Sequence, residues 1–360
     1  MPEPVPTGVM SRPLLTIAIP TYNRAANLAL LLRTLGPQVA AFPEVELLVS
    51  DNASPDETES VMRLFLQEGL RCRYIRNAEN IGADSNFLQC YHQASGKYVW
   101  IFGDDDIIFP DSLAHILRFL TAEDCDLIYL TPFGFVTEPN ERLLANSKPN
   151  VFAFTDPRAF VHSVGLRGDL ILLSAVILNK DRVESHPHPD FATGRDTNLI
   201  QLGWTFTAVR YMRRAIVFER GLYAVCEFNP QRRFDIIRVF GVNWAIAVDR
   251  HFEAGSPLHA ALLKDQLYSW FPTHWYGMRR KPDHTIIRGP VGQMKPIYGS
   301  LPLFWLCTYP LLAWPMLPAG GWLAIWRIIR KLDLWLNRRL SSAITNYDPP
   351  QKVSSSSFSA

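Results

Sequence analysis

The sequence lacks several patterns that would assign it to a simple class. Only 19% of its 360 residues are charged, and 36 Lys and Arg against 34 Asp and Glu leave a net charge of +2. Such a balance gives no electrostatic reason to expect nucleic acid as a partner. The five cysteines are scattered without a Cys-x-x-Cys pair. Their placement argues against a zinc site or a disulfide framework and indicates a reducing, cytosolic setting.

The first apolar run also lacks the glycine-rich continuations of two nucleotide-binding classes. No Gly-x-Gly-x-x-Gly follows Ile19, which excludes a dinucleotide-binding dehydrogenase. The same turn has no glycine-rich loop bearing Arg or Lys for a triphosphate. Its absence weighs against a sugar nucleotidyltransferase, which stays open as an alternative.

What the sequence does contain is an alternation of apolar runs and amphipathic stretches over its first hundred residues. The predicted strands are 14–19, 45–49, 72–75 and 98–102. The first intervening helix has Asn23 as its predicted N-cap, and a Ser54–Glu57 capping box opens the second. This order predicts a mainly parallel sheet with helices on both faces. Ligands of such sheets bind beyond the carboxyl ends of the strands.

Three consecutive aspartates, Asp104, Asp105 and Asp106, directly follow the fourth predicted strand. Adjacent carboxylates repel one another, so they cost stability unless a cation lies among them. Mg²⁺ or Mn²⁺ takes one or two protein carboxylates and completes its shell with water and phosphate oxygens. The triplet therefore predicts a nucleoside diphosphate bound through Mn²⁺ or Mg²⁺. A solvated acidic turn that caps the next helix is the alternative.

Four segments carry a resemblance to a known family: Leu15–Arg24, Val49–Thr58, Asn77–Gly82 and Gly96–Asp106 with Pro110 after it. They resemble the family 2 glycosyltransferases over about residues 13–120, and more weakly to about 225. The Gly-Asp-Asp-Asp form is similar to abequosyltransferase-like enzymes of bacterial surface-polysaccharide synthesis. The resemblance implies an α/β, GT-A fold with a Rossmann-like sheet, followed here by a helical extension.

The resemblance also implies roles for individual residues. The residues that would bind the donor are Pro20, Thr21, Tyr22, Arg24, Asp51, Asn80, Gly82, Asp104 and Asp105. Among them, Asp51 would hydrogen-bond the base, and the Asn80–Gly82 turn would close over the nucleoside. The aspartates resemble the DXD motif, and two registers fit, so the metal ligand is either Asp105 or Asp106.

Members of this family invert the anomeric centre and need a carboxylate that deprotonates the acceptor hydroxyl. The resemblance assigns this role to Asp196, in a loop predicted to open a helix. The family usually has Glu-Asp where this chain has Arg195-Asp196. The alternatives are that Asp196 only caps a helix beginning at Thr197, and that Asp190 is the base.

The stretch 301–326 contains no Asp, Glu, Lys, Arg or His. Prolines interrupt it and basic clusters flank both ends, which favours a shallow hairpin or an interfacial segment over a membrane crossing. Four tryptophans fit the headgroup level: Trp305, Trp314, Trp322 and Trp326. A basic amphipathic helix follows, with Ile and Leu on one face and four cations, Arg327, Arg330, Lys331 and Arg338, largely on the other. Soluble helices packed on the domain or in an oligomer interface are the alternative.

These observations predict a leader at 1–12, a GT-A domain at 13–225, a helical extension at 226–295, membrane-associating helices at 296–340 and a disordered tail at 341–360. Within the domain, 13–110 is the nucleotide-sugar half and 111–225 the acceptor half. The predicted protein is a metal-dependent, inverting glycosyltransferase on the cytoplasmic face of the inner membrane. It transfers sugar from a nucleoside-diphosphate donor to a lipid-linked saccharide acceptor. A homo-oligomer and a non-catalytic membrane scaffold with a degenerate fold stay open.

Overall fold

The computed structural model describes residues 12–135, 150–167, 169–219, 222–226, 235–280 and 289–340. Most of the predicted leader and the whole predicted tail lie outside these ranges. The strands are β1 (Leu15–Thr21), β2 (Val45–Asp51), β3 (Arg73–Arg76), β4 (Tyr98–Ile101), β5 (Ile107–Ile108), β6 (Leu127–Leu130), β7 (Phe133–Phe135), β8 (Asn150–Phe154), β9 (Val176–Asn179), β10 (Ala215–Glu219) and β11 (Tyr223–Cys226).

The helices of the sheet region are α1 (Ala25–Ala40), α2 (Thr58–Gln67), α3 (Ala83–Gln93), α4 (Ser112–Ala122), α5 (Pro157–Arg167), α6 (Lys180–Ser185) and α7 (Leu202–Arg210). Those that follow are α8 (Trp244–His251), α9 (Pro257–Asp265), α10 (Phe271–Arg280), α11 (Pro290–Tyr298), α12 (Tyr309–Ala313) and α13 (Met316–Leu340). Wider π-helical turns precede α8, join α9 to α10 and precede α12.

The central sheet has eight strands in the order β3-β2-β1-β4-β9-β6-β10-β8. The predicted mainly parallel sheet is confirmed, because β1, β2, β3 and β4 pair in parallel, as do β6 and β10. Two strands run the other way: β9 lies antiparallel between β4 and β6, and β8 is antiparallel to β10. A small sheet, β5-β11-β7, adjoins the end of β4. The carboxyl ends of β1, β2 and β4 therefore meet at one edge, as the sequence predicts.

The two helix caps predicted from the sequence are wrong. Asn23 has a left-handed φ of 55°, and α1 begins after it at Ala25, without a side-chain cap from its own N-cap residue. The Ala25 N–H instead donates to the Asp56 carboxylate at 2.9 Å. The same Asp56 accepts from the N–H of Thr58, where α2 begins. The acidic residue of the apparent capping box thus links two helices.

The helices beyond the sheet region share its core. One continuous set of buried apolar side chains runs from Leu15 in β1 to Trp326 in α13. Arg330 of α13 donates to the carbonyl oxygens of Gly165 and Leu166, at the end of α5. Cations at a helix C-terminus satisfy carbonyl groups that have no partner within the helix. This contact fixes α13 against the sheet region.

The two faces of α13 differ from the prediction in two residues. Trp326 is 3% exposed and packs near Tyr268, so it is not an interfacial side chain. Arg330 lies on the same inner face as Trp326, because its guanidinium donates hydrogen bonds to carbonyl groups at the end of α5. The outer face is apolar, with Ile325, Ile328, Ile329, Leu332, Trp335 and Leu336 all exposed.

Next to that apolar surface lie the exposed cations Arg327 and Lys331. Among the residues the structure describes, no helix is both long and apolar enough to cross a membrane.

Candidate active site

A single guanidinium connects the loop after β1 to the aspartates after β4. Arg24 Nη1 lies 2.7 Å from the Asp104 carboxylate and 3.0 Å from that of Asp105. Thr21 Oγ1 donates to the second oxygen of Asp104 at 2.7 Å. Asp104 is 4% exposed, so its charge is compensated by Arg24 and Thr21 rather than by water.

Asp106 is held by a different part of the chain. Ser174 Oγ, in the turn before β9, donates to one carboxylate oxygen at 2.5 Å, and the N–H of Cys226 in β11 donates to the other at 3.1 Å. The Gly103 N–H also donates to Ser174 Oγ, at 2.8 Å. Ser174 therefore fixes both ends of the turn that contains the aspartates.

The charges of the triplet are incompletely balanced. Burial, together with the neighbouring Asp105, raises the pKa of Asp106 to about 8. Burial raises the pKa of Asp104 to about 6, against the opposing effect of Arg24. Among the described residues, no cationic side chain forms an ion pair with Asp106. The imbalance fits a site that accepts a further cation.

The donor set also fits a divalent cation that shares its shell with phosphate oxygens. The side chain of Asp105 is 18% exposed, against 5% for Asp104. Asp106 is buried, and each of its oxygens accepts a hydrogen bond from the protein. Within the described ranges no three His, Cys, Asp or Glu side chains group into a metal cluster. Magnesium in phosphate-transferring sites uses one or two carboxylates, which this triplet offers.

Asp51 is fully buried at the carboxyl end of β2. The Ser54 N–H donates to its Oδ1 at 2.8 Å, while the Tyr74 hydroxyl donates to Oδ2 at 2.7 Å. Arg76 Nε lies 3.3 Å from the same Oδ2. These contacts make Asp51 the centre of the wall formed by β2 and β3. Its predicted contact with a base stays a prediction.

The turn before α3 is built on the end of β2 by Asn52. The Asn52 amide donates to Asn80 Oδ1 at 2.8 Å, and its own oxygen accepts from the Ile81 N–H at 2.9 Å. Asn80 Oδ1 also accepts from the Gly82 N–H. Gly82 has a φ of 84°, which glycine adopts without a steric cost.

Asp196 lies in an exposed turn rather than at the start of a helix. Its φ is 63°, and α7 begins only at Leu202, so the predicted cap of a helix starting at Thr197 is not formed. Asp190 accepts from the Ala192 N–H at 2.9 Å and caps the short 3-10 turn 191–194. Asp84 at the start of α3 accepts from the Asn198 N–H, which holds the Asp196 turn beside the Asn80–Gly82 turn.

The structure therefore brings Thr21, Arg24, Asp104 and Asp105 into direct contact. Pro20 is buried in β1, whereas Tyr22 is 39% exposed at the mouth of the edge. Sequence reasoning missed four residues that hold the site together: Asn52, Asp84, Ser174 and Cys226. Asn52 follows Asp51 in a polar cluster at the end of a predicted strand, so its position in the sequence indicates a place near the site. Ser174, by contrast, sits in a stretch without any motif.

Comparison with known sequences and structures gives a consistent result. The glycosyl transferase family 2 profile matches residues 16–167. An abequosyltransferase of Salmonella typhimurium is 39% identical over 111 residues, which are 31% of this chain and 33% of that protein. A Campylobacter jejuni protein, GalNAc(5)-diNAcBac-PP-undecaprenol beta-1,3-glucosyltransferase, is 30% identical over 107 residues, 29% of this chain and 34% of that protein. The matches thus span about a third of these two relatives.

Among solved structures, residues 1–349 of S. aureus TarS superpose with a TM-score of 0.57 at 16% identity. The match covers 88% of this chain and 90% of that one, and at this identity it shows a shared fold only. The matched segment 16–167 contains Arg24, Asp51 and the three aspartates. This chain therefore carries a glycosyl transferase family 2 domain, matched over residues 16–167, on a GT-A fold.

Proposed function

We propose that this chain is an inverting glycosyltransferase of bacterial cell-surface polysaccharide synthesis. It moves a sugar from a nucleoside-diphosphate donor to a lipid-linked saccharide acceptor. The observation that carries the proposal is the convergence of Thr21, Arg24, Asp104 and Asp105 at one edge of the sheet, inside the family 2 domain. Within the part of the chain that the structure describes, Arg24 is the cation that contacts Asp104 and Asp105, and Asp106 pairs with none, which suits a site that binds a further cation together with the substrate.

Each part of the site has a task in this reaction. Asp51 and the Asn80–Gly82 turn bind the nucleoside, and Arg24 holds Asp104 and Asp105 in place. Asp196 accepts the proton of the acceptor hydroxyl as that oxygen bonds to the anomeric carbon. The bond from this carbon to the diphosphate breaks on the opposite side, which inverts the centre. Because Asp196 is exposed, an acceptor approaching from solvent can reach it.

Asp105, with Asp106 as the second candidate, would hold Mn²⁺ or Mg²⁺ at the diphosphate. Such an ion, when bound, stabilises the negative charge of the leaving diphosphate. The exposure of Asp105 supports its assignment as the ligand, since both oxygens of Asp106 already accept hydrogen bonds.

A lipid-linked acceptor is supported by two observations. The outer face of α13 exposes a row of large apolar side chains beside Arg327 and Lys331. Such a face suits the interface of an anionic membrane, which attracts cations and accommodates Trp and Ile at the headgroup boundary. The name of the Campylobacter jejuni relative includes an undecaprenol-linked acceptor. We propose that α13 docks this chain on the cytoplasmic face of the inner membrane.

Incubation of the purified chain with Mn²⁺, membrane lipid extract and a panel of nucleoside-diphosphate sugars tests the proposal. Release of nucleoside diphosphate together with a glycosylated lipid is the expected result. The matched control replaces Arg24 by Met, which keeps an unbranched though shorter side chain and removes the bridging cation, and it should abolish release. Pyrophosphate release from a sugar 1-phosphate and a nucleoside triphosphate, without any transfer, would instead identify a nucleotidyltransferase.

A further inference from the structure

The turn that carries Asp196 is attached to the start of α3 by one buried carboxylate. Asp84, in the first turn of α3, is 7% exposed, and its Oδ2 accepts the Asn198 N–H at 2.9 Å. Burial raises the pKa of Asp84, and the neighbouring backbone N–H groups of Asn198, Ile200 and Thr197 oppose this effect. The backbone N–H groups that Asp84 faces belong to residues one, two and four positions after Asp196.

This turn has a conformation that needs such support. Asp196 and Asn198 both have left-handed φ values, 63° and 57°. Non-glycine residues rarely adopt this region, and Asn and Asp are the ones that tolerate it best. A turn with two such residues within three positions is maintained by its surroundings. Here the surroundings are Asp84 on one side and Asn243, which donates to the Thr197 carbonyl at 2.9 Å, on the other.

Asp84 is also part of the segment proposed to cover the nucleoside. It comes two residues after Gly82, and the Gly82 carbonyl accepts from the N–H of Asn86 in the first turns of α3. Asn52 fixes the other end of the same segment through Asn80 and Ile81. A continuous set of hydrogen bonds therefore runs from the end of β2, through the Asn80–Gly82 turn, to the backbone beside Asp196.

We propose that Asp84 is a positioning residue, which fixes Asp196 relative to the donor by holding its turn against the start of α3. The proposal rests on the proposed function, in which Asp196 is the catalytic base. Asp84 itself contacts backbone groups and takes no part in proton transfer. Its effect appears in turnover, since a base displaced by about 1 Å can lose about 100-fold in rate.

Asp84→Asn is the variant that separates positioning from stability. It keeps the shape of the side chain and removes a buried charge, so it leaves the fold intact. Asn, however, has one acceptor oxygen instead of two, so its amide nitrogen would face one of the backbone N–H groups around Asp84. We expect kcat to fall about 10- to 100-fold with the donor KM within about twofold of wild type. Asp84→Glu, which retains the carboxylate, should recover part of the lost turnover.

The matched control is Asp126→Asn. Asp126 is also buried, and its Oδ2 accepts the backbone N–H groups of Arg213 and Arg214 at 2.7 and 2.8 Å, while its Oδ1 pairs with Arg182 at 2.6 Å. It precedes β6 and so lies at the opposite edge of the sheet. We expect Asp126→Asn to lower stability while kcat stays at the wild-type value. A loss of turnover in proportion to stability in both variants would overturn the positioning role.

Two further measurements distinguish the inference from the proposed function. In Asp84→Asn, hydrogen exchange at the Thr197 and Asn198 amides should accelerate, and in Asp126→Asn it should not. The double variant Asp84→Asn/Asp196→Asn should be no slower than Asp196→Asn alone, because both changes act on one base. Full turnover by Asp196→Asn would overturn the proposed base. An inactive Asp196→Asn beside a fully active Asp84→Asn, or additive losses in the double variant, would overturn the positioning role alone.

Discussion

Ser174 and Asp106 are joined by a buried hydrogen bond of 2.5 Å that spans 68 residues of sequence. The same hydroxyl accepts the Gly103 N–H. A residue outside every recognised motif therefore fixes the aspartate turn, and it does so from the second half of the sheet region. Asp106 therefore needs both halves of the sheet region for its hydrogen bonds, whereas Asp104 is held by Thr21 and Arg24 of the first half.

Replacing Ser174 by Ala should show this dependence. The change leaves an oxygen of buried Asp106 without its donor, which costs about 1–3 kcal/mol of unfolding free energy. Thermal unfolding should shift down by several degrees, and transfer activity should fall with it. Ser185→Ala is the control, because that hydroxyl is exposed and bonds only its own helix. Equal stability of the two variants would contradict the role of Ser174.

Asp105 and Asp106 should respond differently to substitution. We expect Asp105→Asn to raise the Mn²⁺ concentration for half-maximal transfer more than about 100-fold, because it removes the accessible metal ligand. Asp106→Asn should chiefly lower stability. The measurement is a Mn²⁺ titration of transfer rate, with Asp124→Ala, a surface residue paired with Lys97, as the control. If alanine at both 105 and 106 left Mn²⁺-dependent transfer intact, the metal assignment would be wrong.

Asp196→Asn should lower kcat by about 10²–10⁴-fold, the range for loss of a general base, with donor affinity unchanged. Asp190→Asn is its internal control, since Asp190 caps the neighbouring turn and the amide oxygen can still accept from Ala192. The pair is compared by nucleoside-diphosphate release under saturating donor. A larger loss for Asp190→Asn would move the base to that residue.

The burial of Asp265 should make the free energy of unfolding depend on pH. Asp265 lies at the end of α9, against Gly165, Arg330 and Ser269, and burial raises its pKa from 3.8 to about 7. The folded state thus keeps a proton that the unfolded state loses, so stability falls as pH rises from about 4 to 7.

Asp265→Asn should remove the part of this dependence that is due to Asp265. We expect the variant to exceed wild type in unfolding free energy by roughly 4 kcal/mol at about pH 8 and to gain nothing below about pH 4. Denaturant unfolding of both proteins at several pH values measures the difference. Both proteins keep Asp169 and Arg330, the ionisable groups next to position 265. A constant offset at every pH would contradict the prediction.

The outer face of α13 should control membrane binding. Ile328→Glu with Leu332→Glu places two charges on a surface now 61% and 58% exposed, so the fold should tolerate them. Flotation with phosphatidylglycerol-containing vesicles should weaken at least about tenfold, because apolar burial is lost and anionic lipid is repelled. Leu64→Glu on α2, which is 53% exposed, is the control. Unchanged flotation of the double variant would rule out docking through α13.

The sequence predicts the first half of the sheet well because its signals are local. Buried strands, amphipathic helices and polar strand ends recur at short spacing in residues 14–106. The wrong predictions concern side chains whose hydrogen-bond partners lie in another element. Asp56 resembles part of a cap for α2, yet its second oxygen serves the first N–H of α1. Periodicity carries no information about such contacts.

The candidate site divides in the same way. Arg24, Asp51 and the aspartate triplet lie in motifs and were identified from the sequence. Asp84 and Ser174 act on residues 114 and 68 positions away, and only the folded chain brings those pairs together. The antiparallel β9, which begins two residues after Ser174, was not predicted either. Arg330 resembles a membrane-facing cation in the sequence, although its partners are carbonyl groups of α5.

The attachment of α13 through Arg330 and Trp326 has a geometric consequence. The helix that carries the apolar outer face and the sheet share one continuous core. A chain docked through that face holds Asp196 at a fixed height and tilt above the bilayer. The distance from the bilayer surface to the acceptor hydroxyl would then be fixed by the protein. On the proposed docking and the proposed base, acceptors whose glycan is too short or too long for this height would fail to reach Asp196.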